Sequence, residues 1–296
     1  MFELACFGYI EETGSEIDRR YEAPDFLVSL DGARLAIEVA TANPVSRQST
    51  DISLRSLEDL TQEALHDKIR NEFPLRMGRL LTGKRQKRYW ALPQCHGLPL
   101  VIIVSPLFEA GSVWYTDDAL ATYLYGLEEY TGLVEHNGSW VRSIPVEHHT
   151  YKGRSITSNF FGQPDSEHVS AVIYANSFTV PKFLRISIQS GAETGTWARR
   201  KGTAIVPISE TAAQLADFEY VIGSPDAPHE TWAQGVTVFF NPRARVPLRD
   251  DLLACTSAFK LEGGSIVREV YDFHPLATLT THYDKEDVGW HGNHPE

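Results

Sequence analysis

The dipeptide Asp31-Gly32, set between the strand-like runs Asp25 to Leu30 and Arg34 to Ala40, constrains this chain more than any other feature. Asp-Gly between two such runs is the strongest short-range hairpin signal, because a two-residue loop needs both central residues at positive φ. Register then follows by subtraction: Leu30 opposes Ala33, Ser29 opposes Arg34, Val28 opposes Leu35, Leu27 opposes Ala36, Phe26 opposes Ile37, and Asp25 faces Glu38. Phe26, Val28, Leu30, Leu35 and Ile37 gather on one face and need a core. That requirement fixes the register, since a slip of one residue turns every side chain over and buries the acids. The expectation is two carboxylates as cross-strand neighbours on the polar face of a half-buried hairpin.

Like charges directly opposed on a sheet destabilise it by roughly 0.2–1 kcal/mol, with Cβ atoms about 4.5–5.5 Å apart. A divalent cation between Asp25 and Glu38 relieves that repulsion. Hard carboxylate oxygens suit Mg²⁺ or Mn²⁺, and two carboxylates leave positions open for water and a substrate phosphate. Without an ion the pair reads as two exposed acids quieted by Arg34. A retaining glycosidase also holds its carboxylates about 5–5.5 Å apart, but the only aromatic residue within this hairpin is Phe26, on the opposite face.

Around the hairpin the pattern predicts a helix over Phe2 to Glu12 and a weak strand over Ile17 to Tyr21. Ser53 to Glu72 is helical in period and broken by Phe73-Pro74; a second helix runs from Leu75 to Trp90, and Leu100 to Val104 is a strand buried on both faces. The order is α-β-β-β-α-β. Beyond Phe108 the pattern predicts a helix over Thr116 to Tyr130, then short strands at Leu133 to Glu135, Trp140 to Glu147, Ala171 to Ala175, Phe183 to Ile188 and Val236 to Phe240. Small helices are expected near Glu193 to Arg200 and Glu210 to Asp217. The fold class expected is α/β (α+β), with a core over 1–110, a β-rich region over 111–296 that serves recognition, and a disordered tail over 281–296.

Charge is uneven. The whole chain carries 27 Lys and Arg against 39 Asp and Glu, a net −12 that argues against a protein coated in nucleic acid. From His66 to Trp90, however, Lys68, Arg70, Arg76, Arg79, Lys84, Arg85, Lys87 and Arg88 face only Asp67 and Glu72. This run is either a solvated helix face or a phosphate-facing surface. The longest apolar stretch, Leu98 to Val104, is too short to span a membrane, and Glu3 stands where a secretory signal carries basic residues, so a cytoplasmic protein is expected. Cys6, Cys95 and Cys255 are too scattered for a disulfide framework or a cysteine zinc site. His282, His291 and His294 match no ligand spacing, and His148 and His149 point to opposite faces of any strand.

Pro24-Asp25, twelve further residues, and then Glu38-Val39-Ala40 on the second strand of a hairpin, inside an α-β-β-β-α-β order, resemble the PD-(D/E)XK nuclease superfamily. The stretch Ala23-Pro24-Asp25-Phe26 and Ala36-Ile37-Glu38-Val39-Ala40-Thr41-Ala42-Asn43-Pro44, followed by Lys84, Tyr89-Trp90 and Gly97-Leu98-Pro99-Leu100, is similar to a bacterial group within it. The resemblance covers about the first third of the chain and implies a restriction-endonuclease-like αβββαβ core. One position departs from the motif. The family's lysine stands two residues after the acid, and Ala40 occupies that place. Members of the superfamily also supply the lysine from the following helix; Lys68 and Lys84 are the candidates, and Lys84, in the basic helix, is preferred. If that helix packs beside the hairpin, the small Ala40 leaves room for the Lys84 ammonium. The superfamily often adds a Glu from the first helix to the metal, and Glu3 is chosen over Glu11 and Glu12.

The resemblance implies a Mg²⁺- or Mn²⁺-dependent endonuclease that hydrolyses phosphodiester bonds, with DNA as the first-choice partner. Asp25, Glu38 and Lys84 are its catalytic residues, Asp25, Glu38 and Glu3 its metal ligands, and Arg76, Arg79, Lys87 and Arg88 its nucleic-acid contacts. The alternative is a nuclease-like binding module that has lost catalysis with its motif lysine. Trp197, Arg199, Arg200 and Lys201, with Arg243 and Arg245, form a second aromatic and basic group in the β-rich region, either a set that stacks on bases and holds phosphates or a core tryptophan beside a solvated turn.

Overall fold

Phe2, Ala5, Cys6, Tyr9 and Ile10 recur at helical spacing and form the buried stripe of α1 (Phe2–Glu12). The computed structural model describes residues 1–43, 60–109, 111, 114–134, 138–209 and 212–284. The start of the helix expected from Ser53, the end of the strand expected at Glu135, Glu210, and the tail with His291 and His294 lie outside them. After α1, β1 (Glu16–Asp18) pairs antiparallel with β2 (Phe26–Leu30), and β2 with β3 (Ala33–Ala42). Asp31 and Gly32 take φ of 48° and 75°, the double left-handed turn that Asp-Gly favours. The ladder runs from Leu30↔Ala33 to Phe26↔Ile37, the register that counting from the turn gives.

α2 (Gln62–Asp67) passes through a π turn (Lys68–Glu72) directly into α3 (Phe73–Gln86). The expected break at Phe73-Pro74 does not occur. Pro74 falls in the first turn of α3, where its missing N–H does least harm. The carbonyl four residues before it, that of Arg70, accepts instead from Nδ1 of His149 at 2.8 Å. Burial lowers the His149 pKa and favours the neutral ring, whose Nε2 meets the Ser158 hydroxyl at 3.0 Å. At its other end α3 stops at Gln86 and not at Trp90, because Arg88 turns left-handed (φ 51°) and Tyr89–Ala91 form a 3-10 turn.

β4 (Leu100–Pro106), buried along its whole length, lies parallel to β3. α4 (Asp117–Tyr125) follows and is closed by left-handed Gly126, so the helix expected to reach Tyr130 gives way to β5 (Leu127–Val134), which pairs with β6 (Gly138–Pro145). A further hairpin joins β7 (His148–Tyr151) to β8 (Arg154–Thr157), and β9 (Ala171–Tyr174) runs parallel to β4. Phe183 to Ile188, expected as a strand, lies in α5 (Val180–Gln189): Pro181 occupies its first turn, and Lys182 and Arg185, one turn apart, are buried together.

The two small helices expected next are strands, β10 (Thr196–Ser209) and β11 (Ala212–Val221), a long antiparallel pair. Gly202 within β10 shows what the pattern concealed: a Cβ there would lie 2.0 Å from the carbonyl oxygen of Ala277. β12 (Thr237–Phe240), β13 (Ser257–Glu262), β14 (Ser265–Val270) and β15 (His274–Asp284) complete the order. Residues 281–284, expected in a disordered tail, pair with Thr196–Arg199 as the end of β15, and His282 sits opposite Ala198.

The chain is a mixed α/β protein. One sheet carries eight strands in the order β1-β2-β3-β4-β9-β12-β13-β14, so strands from beyond residue 110 continue the sheet begun by the hairpin; β11-β10-β15 form a separate sheet of three. Phe26, Val28, Leu35, Ile37 and Val39 pack on α1 on one face of the large sheet. Leu27, Ala36, Ala40, Ile102 and Val104 face Phe73, Met77 and Leu81 of α3 and Leu120 of α4 on the other. A sheet covered on both sides has near-continuous apolar sequence along its central strands, as β4 does. Among the described residues no helix is long and apolar enough to cross a membrane.

Candidate functional site

Strand alternation puts Glu38 on the face of β3 that carries Ala36 and Ala40, and α3 covers that face. Glu38 is therefore 3% exposed, and the open polar face expected for the two acids is a second core face. Three alanines, Ala36, Ala40 and Ala42, carry too little apolar volume to announce that face in the sequence. Their small size is also what lets a helix approach the strand closely.

Asp25 sits one residue before β2 and remains exposed. Its Oδ2 accepts the Val39 N–H at 2.7 Å, and its own N–H donates to Oε2 of Glu38 at 3.3 Å. These two bonds to side-chain oxygens tie Asp25 to β3 just past the end of the ladder and leave the two acids adjacent. The turn before Asp25 is held by Gln94, whose Nε2 donates to the Ala23 carbonyl at 2.6 Å. Partial burial, and after it the charges of Glu38 and Glu3, raise the Asp25 carboxyl above its usual range, while the Val39 N–H and the Lys84 ammonium favour its ionised form.

Lys84, in the last turn of α3, donates to Oε1 of Glu38 in an ion pair. Tyr89, delivered by the left-handed turn at Arg88, donates its phenol to the same oxygen at 2.5 Å. Burial first, and then the Glu38 carboxylate, raise the Tyr89 pKa, so the phenol stays a donor. Sequence reasoning included Tyr89 in the stretch resembling the nuclease group but gave it no role. The signal was its position directly after the basic run that ends the helix. Lys68, the competing lysine, is engaged elsewhere, 2.7 Å from Glu109 and 3.3 Å from Glu72.

Glu3 lines a cavity of about 570 Å³ with Leu4, Phe7, Tyr21 and Asp25. It is exposed on α1, the helix on the sheet face opposite Glu38, and forms no three-residue ligand group with Asp25 and Glu38. Among the described residues the group of that kind is Asp165, Glu167 and His168, which sequence reasoning did not single out; Glu167 there pairs with Arg245, and His168 stacks on Trp90 with ring centroids 4.5 Å apart.

Of the residues expected to touch nucleic acid, Arg79, Lys87 and Arg88 are exposed. Arg76 is half-buried, bonded to Glu72 at 3.1 Å and packed over Phe108. In the second basic group Arg200 is buried and Trp197 stacks on Tyr283, whereas Lys201, Arg243 and Arg245 are exposed. Comparison with protein-family models, with curated proteins and with solved structures finds no match to this chain.

Proposed function

We propose that the chain is a metal-dependent nuclease with a PD-(D/E)XK arrangement, in which Lys84 supplies from α3 the ammonium that the motif lysine supplies from the strand. The observation that carries this reading is the Lys84–Glu38 ion pair on the face of β3 that also bears Ala40. Ala40 is 5% exposed and has no side chain long enough to compete with Lys84 for the acid. The antiparallel β2–β3 hairpin, followed by α3 and then by β4 parallel to β3, supports a restriction-endonuclease-like core over the first 106 residues.

The donor set fits a hard divalent cation. Asp25 is exposed with one oxygen held by the Val39 N–H, and Oε2 of Glu38 carries only the long bond from the Asp25 amide, so each acid keeps lone pairs to offer. Mg²⁺ bound there supplies polarisation of a scissile phosphate and acidification of its water. The chain's own residues do the rest. Asp25 at the surface and Glu38 beneath α3 would hold the cation, and Lys84 presents a donor to charge that develops on the phosphate or orients the attacking water. Arg79, Lys87 and Arg88 are exposed cations for the phosphate backbone.

Crystals soaked in Mn²⁺ test the reading. The expected result is an anomalous peak within coordination distance of Asp25 and of Glu38 Oε2; a featureless map at saturating Mn²⁺ contradicts it and favours a binding module without catalysis.

A further inference from the structure

The two oxygens of Glu38 are treated differently. Oε1 accepts from both Lys84 and Tyr89, the latter at 2.5 Å, while Oε2 accepts only the Asp25 N–H at 3.3 Å. A carboxylate oxygen offers about two lone-pair sites, so Oε1 is saturated and Oε2 is not. The two donors to Oε1 also differ in how firmly they are placed. Lys84 reaches it on a flexible four-carbon stem that is 19% exposed. Tyr89 is a rigid ring, 5% exposed, in the same core cluster as Ala40, Leu81 and Cys95.

We propose that Tyr89 is a positioning residue that clamps Oε1 of Glu38, turns Oε2 toward Asp25 as the metal-binding oxygen, and holds the carboxylate in place when Lys84 leaves it for the substrate. A phenol suits that role because it is neutral, adds no charge to compete with a cation, and has its donor fixed by packing. The inference rests on the metal-dependent reading above. A partner that orients a ligating carboxylate is commonly worth ten- to hundredfold in metal affinity.

The experiment titrates the full-length chain with Mn²⁺ alone by calorimetry, comparing wild type, Tyr89→Phe and Phe73→Leu. Tyr89→Phe keeps the ring and removes the donor. Phe73→Leu loosens the same core cluster through a residue that makes no bond to Glu38. The expected result is a Kd for Mn²⁺ raised by about tenfold or more in Tyr89→Phe and unchanged in Phe73→Leu. In cleavage assays the apparent KM for Mn²⁺ rises in Tyr89→Phe while the KM for nucleic acid stays the same. Equal affinity in wild type and Tyr89→Phe, or an equal loss in Phe73→Leu, overturns the positioning role and leaves the metal site standing. Absence of Mn²⁺ binding by the wild type overturns the metal-dependent reading and the inference with it.

Discussion

Lys84 of α3 and Glu38 of β3, separated by 46 residues, form an ion pair in which the lysine side chain is 19% exposed and the glutamate 4%. The lysine reaches inward over a helix end, whereas the acid is fixed from below by the sheet. Removing Lys84 takes the counter-charge from a buried carboxylate, a loss of about 3 kcal/mol or more, while Tyr89 and the Asp25 amide still donate to it.

Lys84→Ala is therefore expected to fold, to bind Mn²⁺ and to lose metal-dependent cleavage by at least about a hundredfold, the scale of one transition-state donor. Glu38→Ala loses both binding and cleavage. Steady-state cleavage by the two variants checks this; a wild-type rate in Lys84→Ala removes Lys84 from the mechanism.

The placement of α3 depends on a missing side chain. A Cβ on Gly78 would lie 2.6 Å from Cζ of Tyr123 and from Cδ1 of Ile156, whereas one on Gly83 of the same helix meets nothing within 4 Å. Gly78→Ala is expected to lower stability by about 1–3 kcal/mol through overpacking and to slow cleavage by shifting Lys84. Gly83→Ala is expected to raise stability by roughly 0.5–1 kcal/mol through helix propensity alone. Urea titration of the two variants separates them, and equal midpoints contradict this packing of α3.

The hairpin and its register were legible in the sequence because the Asp31-Gly32 turn and the alternation of Phe26, Val28, Leu35 and Ile37 demand the same pairing. That Glu38 is buried was not legible, since the covering face is built from alanines that look neutral in any pattern. Lys84 could be named only through the resemblance, as the lysine of the basic helix that follows the hairpin; its contact with Glu38 is a matter of helix placement. Misreadings cluster where tertiary pairing overrides local preference. β10 and β11 carry charged and alanine-rich sequence that suits a helix, yet they pair along most of their length, and close approach at Gly202 seats β15 against β10.

Away from the site, Lys182 is fully buried, its Nζ donating to the carbonyls of Trp232 at 2.9 Å and Gln234 at 2.7 Å. Burial pushes its pKa down to about 7; Arg185 and Arg200 push the same way, and Glu230 and Glu12 oppose them. An unfolded lysine titrates near 10.4, so between about pH 7 and pH 10 the unfolded chain holds the extra proton and this residue makes stability rise with pH. The penalty is fully felt below about pH 7. Its slope reaches up to about 1.4 kcal/mol per pH unit. Lys182→Met is expected to flatten the rise of the urea midpoint across that window relative to wild type, and parallel curves for the two proteins contradict it.

Whether Asp25, Glu38 and Lys84 form a metal-dependent phosphodiesterase is tested most directly by cleavage of labelled DNA and RNA, each single- and double-stranded, in Mg²⁺ and in excess EDTA. The expected result is cleavage by the wild type in Mg²⁺, none in EDTA, and none by Glu38→Ala under either condition. Cleavage that persists in EDTA or in Glu38→Ala, or a wild-type protein inert toward all four substrates in Mg²⁺ and Mn²⁺, contradicts it.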